Sequence, residues 1–233
     1  MDIGIAFETL TWLDLALVGV FLVSWQVLSW WIEHPSSKRP SVSVLMSEYR
    51  REWMRVFVTR EPRIFDSQVL MSLRQGTSFF ASTCLLAMGG LLALIGNVDP
   101  LLGVTESIGQ LESPAAVLQV KLLLVLFFLG NGFLKFVWAN RVFGYCGVLM
   151  GAVPNDPEDP TAYPLAAKAA ELNIRAALNF NRGLRSMYFA LGALAWLAGP
   201  VALGAAVVLT TWLVWSREFA SIPRSIVLRG TKP

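Results

Sequence analysis

The sequence predicts an all-α integral membrane protein: a four-transmembrane-helix bundle, extended on the cytoplasmic side, with one amphipathic interfacial helix. Three observations carry this. Four apolar stretches, at about 10–32, 77–96, 117–139 and 187–215, each reach the roughly 20 residues a helix needs to cross about 30 Å of hydrocarbon. Of the 233 residues, 55% are hydrophobic and only 15% charged, which leaves no room for a second soluble domain, so residues 1–233 read as a single membrane domain. The positive charges also alternate between connections. Lys38, Arg39, Arg50, Arg51, Arg55, Arg60, Arg63 and Arg74 lie between the first two stretches, and Arg141, Lys168, Arg175, Arg182 and Arg185 between the last two. Residues 97–116 hold no Lys or Arg but carry Asp99, Glu106 and Glu112.

Basic loops stay in the cytoplasm, so the N-terminus and the middle loop are expected outside. Four crossings then leave the tail outside with Arg217, Arg224, Arg229 and Lys232, against the same rule. A turn at Gly199-Pro200 would return it. Each half of the stretch is then only about 12 residues, too short to cross, so one kinked helix is the expectation.

The elements follow in order. Residues 1–13 contain no Lys or Arg and include Asp2 and Glu8, unlike the positive start of a secretory signal, so the first stretch reads as a true span. Thr11 and Asp14 have the spacing of a capping box. Glu33-His34-Pro35 ends that helix, because proline disfavours helical geometry in the residue before it. Val42, Leu45, Met46, Tyr49, Trp53, Val56 and Phe57 recur at helical spacing opposite Arg50, Arg51 and Arg55, giving an amphipathic helix over about 42–57. It either lies on anionic lipid or packs on the ends of the bundle. Asp66 is expected to cap a helix running through Arg74 into the second span, which Asn97-Val98-Asp99-Pro100 closes. Ser113-Pro114 restarts a helix that continues to Gly151–Pro154. Residues 154–160 form a proline-rich loop, and from Leu165 an alanine-rich helix, open to interruption at Gly183, leads to the last span.

Little in the chain points to catalysis. Cys84 and Cys146 suit neither a disulfide nor a metal cluster, and the single His34 cannot supply two haem ligands. Nucleotide-cradling, metalloprotease and nucleophile–histidine signatures are absent, so no catalytic residue, cofactor or metal is expected. The net charge of +3 follows the orientation rule and does not imply nucleic acid.

Polar residues inside the spans are the informative ones, because charge in hydrocarbon is costly. Lys121 and Lys135 can snorkel, or Lys121 can form an intramembrane ion pair with Asp14. Asn131, Ser78, Ser82 and Thr83 suit interhelical hydrogen bonds or a polar route. Ala198, Ala202, Ala206 and Thr210 form a small-residue row fit for internal packing or a subunit interface. The densest cluster lies near the inner membrane surface: Arg175, Asn179, Arg182 and Arg185, with Asn140 and Arg141. It suits a phosphate or lipid head group, and Arg182 and Arg185 are expected to point towards Asn140 and Arg141; a solvated face with salt bridges is the alternative.

Several segments resemble the uncharacterised bacterial membrane-protein family DUF599: Tyr49-Arg50-Arg51-Glu52-Trp53-Met54, Phe79-Phe80-Ala81-Ser82, Val120-Lys121-Leu122-Leu123, Asn181-Arg182-Gly183-Leu184-Arg185 with Tyr188-Phe189, and Arg217-Glu218-Phe219. The resemblance implies a multi-pass bacterial inner-membrane protein of about four spans and brings no reaction or substrate with it. The residues favour a non-enzymatic scaffold or accessory component, in contact with membrane lipid and assembled as a homo-oligomer or in a larger complex. A small-molecule or ion transporter and an anionic-lipid-binding protein remain the alternatives. A lipid-modifying enzyme lacks a nucleophile or metal site.

Overall fold

The Thr11–Asp14 capping box forms at the head of the first helix. The Asp14 carboxylate accepts from the Thr11 backbone N–H at 3.1 Å, while the Thr11 hydroxyl accepts from the Asp14 N–H at 3.2 Å. This computed structural model describes residues 9–100, 103 and 114–229. Asp2, Glu8, Glu106, Glu112, Ser113 and Lys232, named above, lie outside the described residues. Among the described residues every regular element is a helix: α1 (Trp12–Glu33), α2 (Val42–Phe57), α3 (Ile64–Gly96), α4 (Ala115–Ala152), α5 (Ala162–Leu194), a 3-10 turn (Ala195–Ala198), α6 (Pro200–Phe219) and α7 (Ile222–Arg229). Four of them, α1, α3, α4 and the one beginning at Pro200, are long and apolar enough to cross a membrane.

The amphipathic helix has the expected bounds. Its cap is Ser41, whose hydroxyl accepts from the Val44 N–H at 3.3 Å and donates to the Ile32 carbonyl at 2.8 Å. Asp66, expected as a cap, is not one. α3 begins at Ile64, and the Asp66 carboxylate instead accepts from the Trp53 indole N–H at 2.6 Å and from Arg60.

The largest correction concerns the stretch 187–215, which is not one kinked helix. α5 stops at Leu194, and after the 3-10 turn Gly199 takes φ 103°, a left-handed conformation open to glycine. Pro200 then starts α6 at the position where its missing N–H costs nothing. The two helices run back along one another. A Cβ on Gly192 would stand 2.8 Å from the Thr210 hydroxyl, and Arg217 hydrogen-bonds the Tyr188 hydroxyl. Thr210 of the small-residue row therefore serves internal packing. α5 begins far upstream, at Ala162, and carries Asn179, Asn181 and Arg182 along its length; it is not one of the four helices long and apolar enough to cross a membrane.

The chain divides into two compact units, and the division falls inside each long helix. Unit 1 comprises Met1–Trp31, Thr83–Gly132 and Leu184–Arg217. Its centre is a ring cluster: Phe21 lies 5.4 Å from Phe128 and 5.0 Å from Phe189, which lie 5.8 Å from each other. Unit 2 comprises Ile32–Ser82, Phe133–Gly183 and Glu218–Pro233. There Met54, Phe57 and Val58 bury against the alanine face Ala162, Ala166 and Ala169 of α5 and against Phe143 of α4. α2 thus packs on neighbouring helices through its apolar face. Gly183 does not interrupt α5. A Cβ there would come within 2.7 Å of the buried Phe136 ring, which lies 5.4 Å from Phe80 and 5.5 Å from Phe180.

Candidate functional site: a cleft beside Arg74

In unit 2, α3 presents Leu70, Arg74 and Ser78 at four-residue intervals, so they share a face. The facing side of α4 presents Asn140, Gly144, Gly147 and Gly151 at intervals of four, three and four. The glycines let α3 side chains lie across α4. A Cβ on Gly147 would meet Leu70 Cδ2 at 3.1 Å, and one on Gly144 would stand 3.9 Å from the Arg74 guanidinium. The result is a cleft of about 740 Å³ whose wall includes Leu70, Met71 and Met150 beside Arg74, Gln75 and Asn140.

Two arginines line it in different states. Arg63 donates to the carbonyls of Val153 and Pro154, both at 2.8 Å, and of Val58 at 3.0 Å, with its guanidinium 4.5 Å from the Phe57 ring centroid. It is a strut that fixes the loop after α4. Arg74 has no hydrogen-bond or salt-bridge partner for its guanidinium among the described residues. Asn140 closes the floor, donating to the Arg74 carbonyl at 3.2 Å and to the Ser78 hydroxyl at 2.6 Å. A forked cation above apolar walls can hold an oxyanion that carries a hydrocarbon tail.

The six residues expected to form an anion site meet different partners. Asn140 lines the Arg74 cleft. Arg141 is exposed and turns back on Tyr145, whose hydroxyl it reaches at 2.5 Å. Asn179 donates to the Arg175 carbonyl at 2.9 Å. Arg175 and Arg182 border a second cleft with Glu33, His34, Arg51 and Glu171. Arg182 is paired there: its Nε donates to Glu33 Oε1 at 2.8 Å. Arg185, in unit 1, is buried and its Nε donates to the Ser29 hydroxyl at 3.2 Å. Arg182 and Arg185 thus bond α1 residues, not Asn140 and Arg141. The carboxylate serving Arg182 is Glu33, because the end of α1 lies against α5.

Asp14 and Lys121 are both buried in unit 1 and share Trp196. The indole N–H donates to Asp14 at 2.7 Å, and the Lys121 ammonium stands 6.0 Å from the ring centroid. No salt bridge within 4.0 Å joins them among the described residues. Ser186 donates to Asn131 at 2.9 Å, an interhelical bond of the kind expected for Asn131. No group of three or more His, Cys, Asp or Glu suited to a metal occurs among the described residues.

Sequence reasoning missed Arg74 as a site residue, since it counted only as an orienting charge. The available signal was the glycine spacing of three and four residues at Gly144, Gly147 and Gly151. Its meaning needs the partner helix.

No curated protein and no solved structure matches this chain. A family profile does, across residues 16–223, and with most of its length covered the chain belongs to that family, described as a protein of unknown function, DUF599.

Proposed function

We propose that this chain is a non-enzymatic accessory protein of the bacterial inner membrane that binds an anionic lipid head group in the Arg74 cleft. The carrying observation is the Arg74 guanidinium, which faces a roomy, mostly apolar cleft without a protein partner among the described residues. A lipid phosphate satisfies the cation, and its acyl chains suit the Leu70–Met71–Met150 wall. The reading includes five crossings, by α1, α3, α4, the second half of α5, and α6. That number puts the basic loops and the basic tail in the cytoplasm together and removes the conflict with the positive-inside rule. In support, Glu218 at the end of α6 hydrogen-bonds Ser43 in the first basic connection, and Arg224 donates to the Pro40 carbonyl at 2.9 Å.

The test is thermal unfolding of detergent-purified protein with and without added phosphatidylglycerol. Arg74→Gln should keep the baseline melting temperature and lose most of the lipid-dependent rise. Arg141→Gln should keep both. An undiminished rise in Arg74→Gln would refute the site. For topology, a cysteine at Ser225 should be labelled only from the cytoplasmic side in intact cells, as should one at Asp159. Labelling of Ser225→Cys from outside would refute five crossings.

A further inference from the structure

Three segments far apart in the chain, Ser43–Arg50, Ile174–Asn181 and Glu218, meet in unit 2 around a smaller cavity of about 230 Å³. Two opposite charges border it. Glu218 sits at one end, accepting from the Ser43 backbone N–H at 3.1 Å and from its hydroxyl at 2.9 Å. Asn181 donates to the same Ser43 hydroxyl at 3.1 Å. Arg50 sits two helical turns further along α2, about 10 Å by the 1.5 Å rise per residue. Its guanidinium hydrogen-bonds the neutral Asn173 amide oxygen, and no carboxylate pairs with it among the described residues. Ser47 lines the space between.

We propose that this cavity binds a small zwitterion, an amine and an oxyanion on one skeleton, with the oxyanion on Arg50 and the amine on Glu218. A half-enclosed guanidinium with only a neutral partner is costly, and an anion brought to it is held strongly. Burial already pulls the Arg50 guanidinium below its ordinary pKa, and arginine still stays charged at any physiological pH. A simple anion would meet Glu218 in the same cavity. A simple cation would meet Arg50. A ligand carrying both charges satisfies the two ends, and their spacing along α2 favours a skeleton longer than that of an α-amino acid. The volume of about 230 Å³ accommodates roughly eight waters at about 30 Å³ each, the size of a short ω-amino acid or phosphoethanolamine. The ligand's source is either a free solute or the phosphoethanolamine head group of a lipid.

The test uses the full chain in detergent. Melting temperature is measured against glycine, β-alanine, 4-aminobutyrate and phosphoethanolamine, and against acetate with methylammonium at matched concentration. The longer zwitterions should raise it saturably, with the paired half-molecules at least tenfold weaker. Ala177→Leu, which fills the cavity and leaves both charges in place, should weaken the response at least tenfold, as should Ser47→Leu. Arg74→Gln should leave it intact, which separates this site from the lipid cleft. A response to vesicles containing phosphatidylethanolamine but to none of the free solutes assigns the ligand to the head group. A response to the free solutes assigns it to a soluble zwitterion. No response to either, equal responses to the half-molecules, or an undiminished response in both filled variants would overturn the proposal.

Discussion

Asp14 and Asp66 are both buried carboxylates that accept a hydrogen bond from a tryptophan indole, one in each unit, and they are balanced differently. Asp66 in unit 2 has its cation in direct contact, Arg60. Asp14 in unit 1 relies on Thr11 and Trp196, with Lys121 held on the face of the same indole. The contrast extends to the units as wholes. Unit 1 contains Lys121, Arg185 and Arg217 as its only Lys or Arg, and every other described Lys or Arg belongs to unit 2. Unit 1 is therefore held by ring contacts and close backbone approach, as suits a hydrocarbon surrounding. Unit 2 adds ion pairs: Arg60–Asp66 and Arg182–Glu33, each with its carboxylate largely buried, and Arg51–Glu171 and Arg55–Glu52 on the exposed surface.

Four measurements can break or sharpen that comparison. The largest effect is expected from Asp66→Ala, about 3 kcal/mol of stability, because it strands the Arg60 charge and the part-buried Trp53 indole N–H. Asp14→Ala should cost about half as much, since hydrogen bonds but no direct ion pair are lost. Thermal unfolding of both variants checks the ranking, and equal losses would mean that the two carboxylates are held alike.

Next come the glycines. Gly183→Ala should cost about 2 kcal/mol, because its Cβ meets the Phe136 ring at 2.7 Å and the neighbouring rings block escape. Gly192→Ala should cost less, about 1 kcal/mol, since its nearest obstacle is the Thr210 hydroxyl, which can rotate. A reversal of that order would show that the α5–α6 approach in unit 1 is the tighter contact.

A smaller effect is expected from Arg182→Gln. The pair is part-exposed on the arginine side, at 40% against 10% for Glu33, so about 1 kcal/mol is expected, shrinking with added salt. A loss independent of ionic strength would show a packing role instead. The smallest is Arg141→Gln, within about 0.5 kcal/mol, because Arg141 is exposed and contacts Tyr145 one turn away. A drop of several degrees in melting temperature would show that Arg141 supports more than its own turn.

The chain's local features were legible in the residues. Apolar length set α1, α3 and α4, the 3.6 periodicity set α2 at its observed bounds, and the Thr11–Asp14 spacing set the first cap. These are matters of a few neighbouring residues, so a single sequence determines them. What the sequence left open depended on partners far along the chain. Asp66 has the composition of a cap and became an ion-pair centre because Trp53 and Arg60 fold onto it. The turn at Gly199 shows itself in what α5 and α6 bring together, Gly192 against Thr210 and Tyr188 against Arg217. Arg74 gained its cleft from three glycines some seventy residues later, and Arg50 and Glu218 share a cavity across most of the chain's length. Solvent and helix positions thus came from composition and periodicity. Which charges are answered within the protein and which face a cleft was decided by tertiary structure, because a charge's cost depends on what packs beside it.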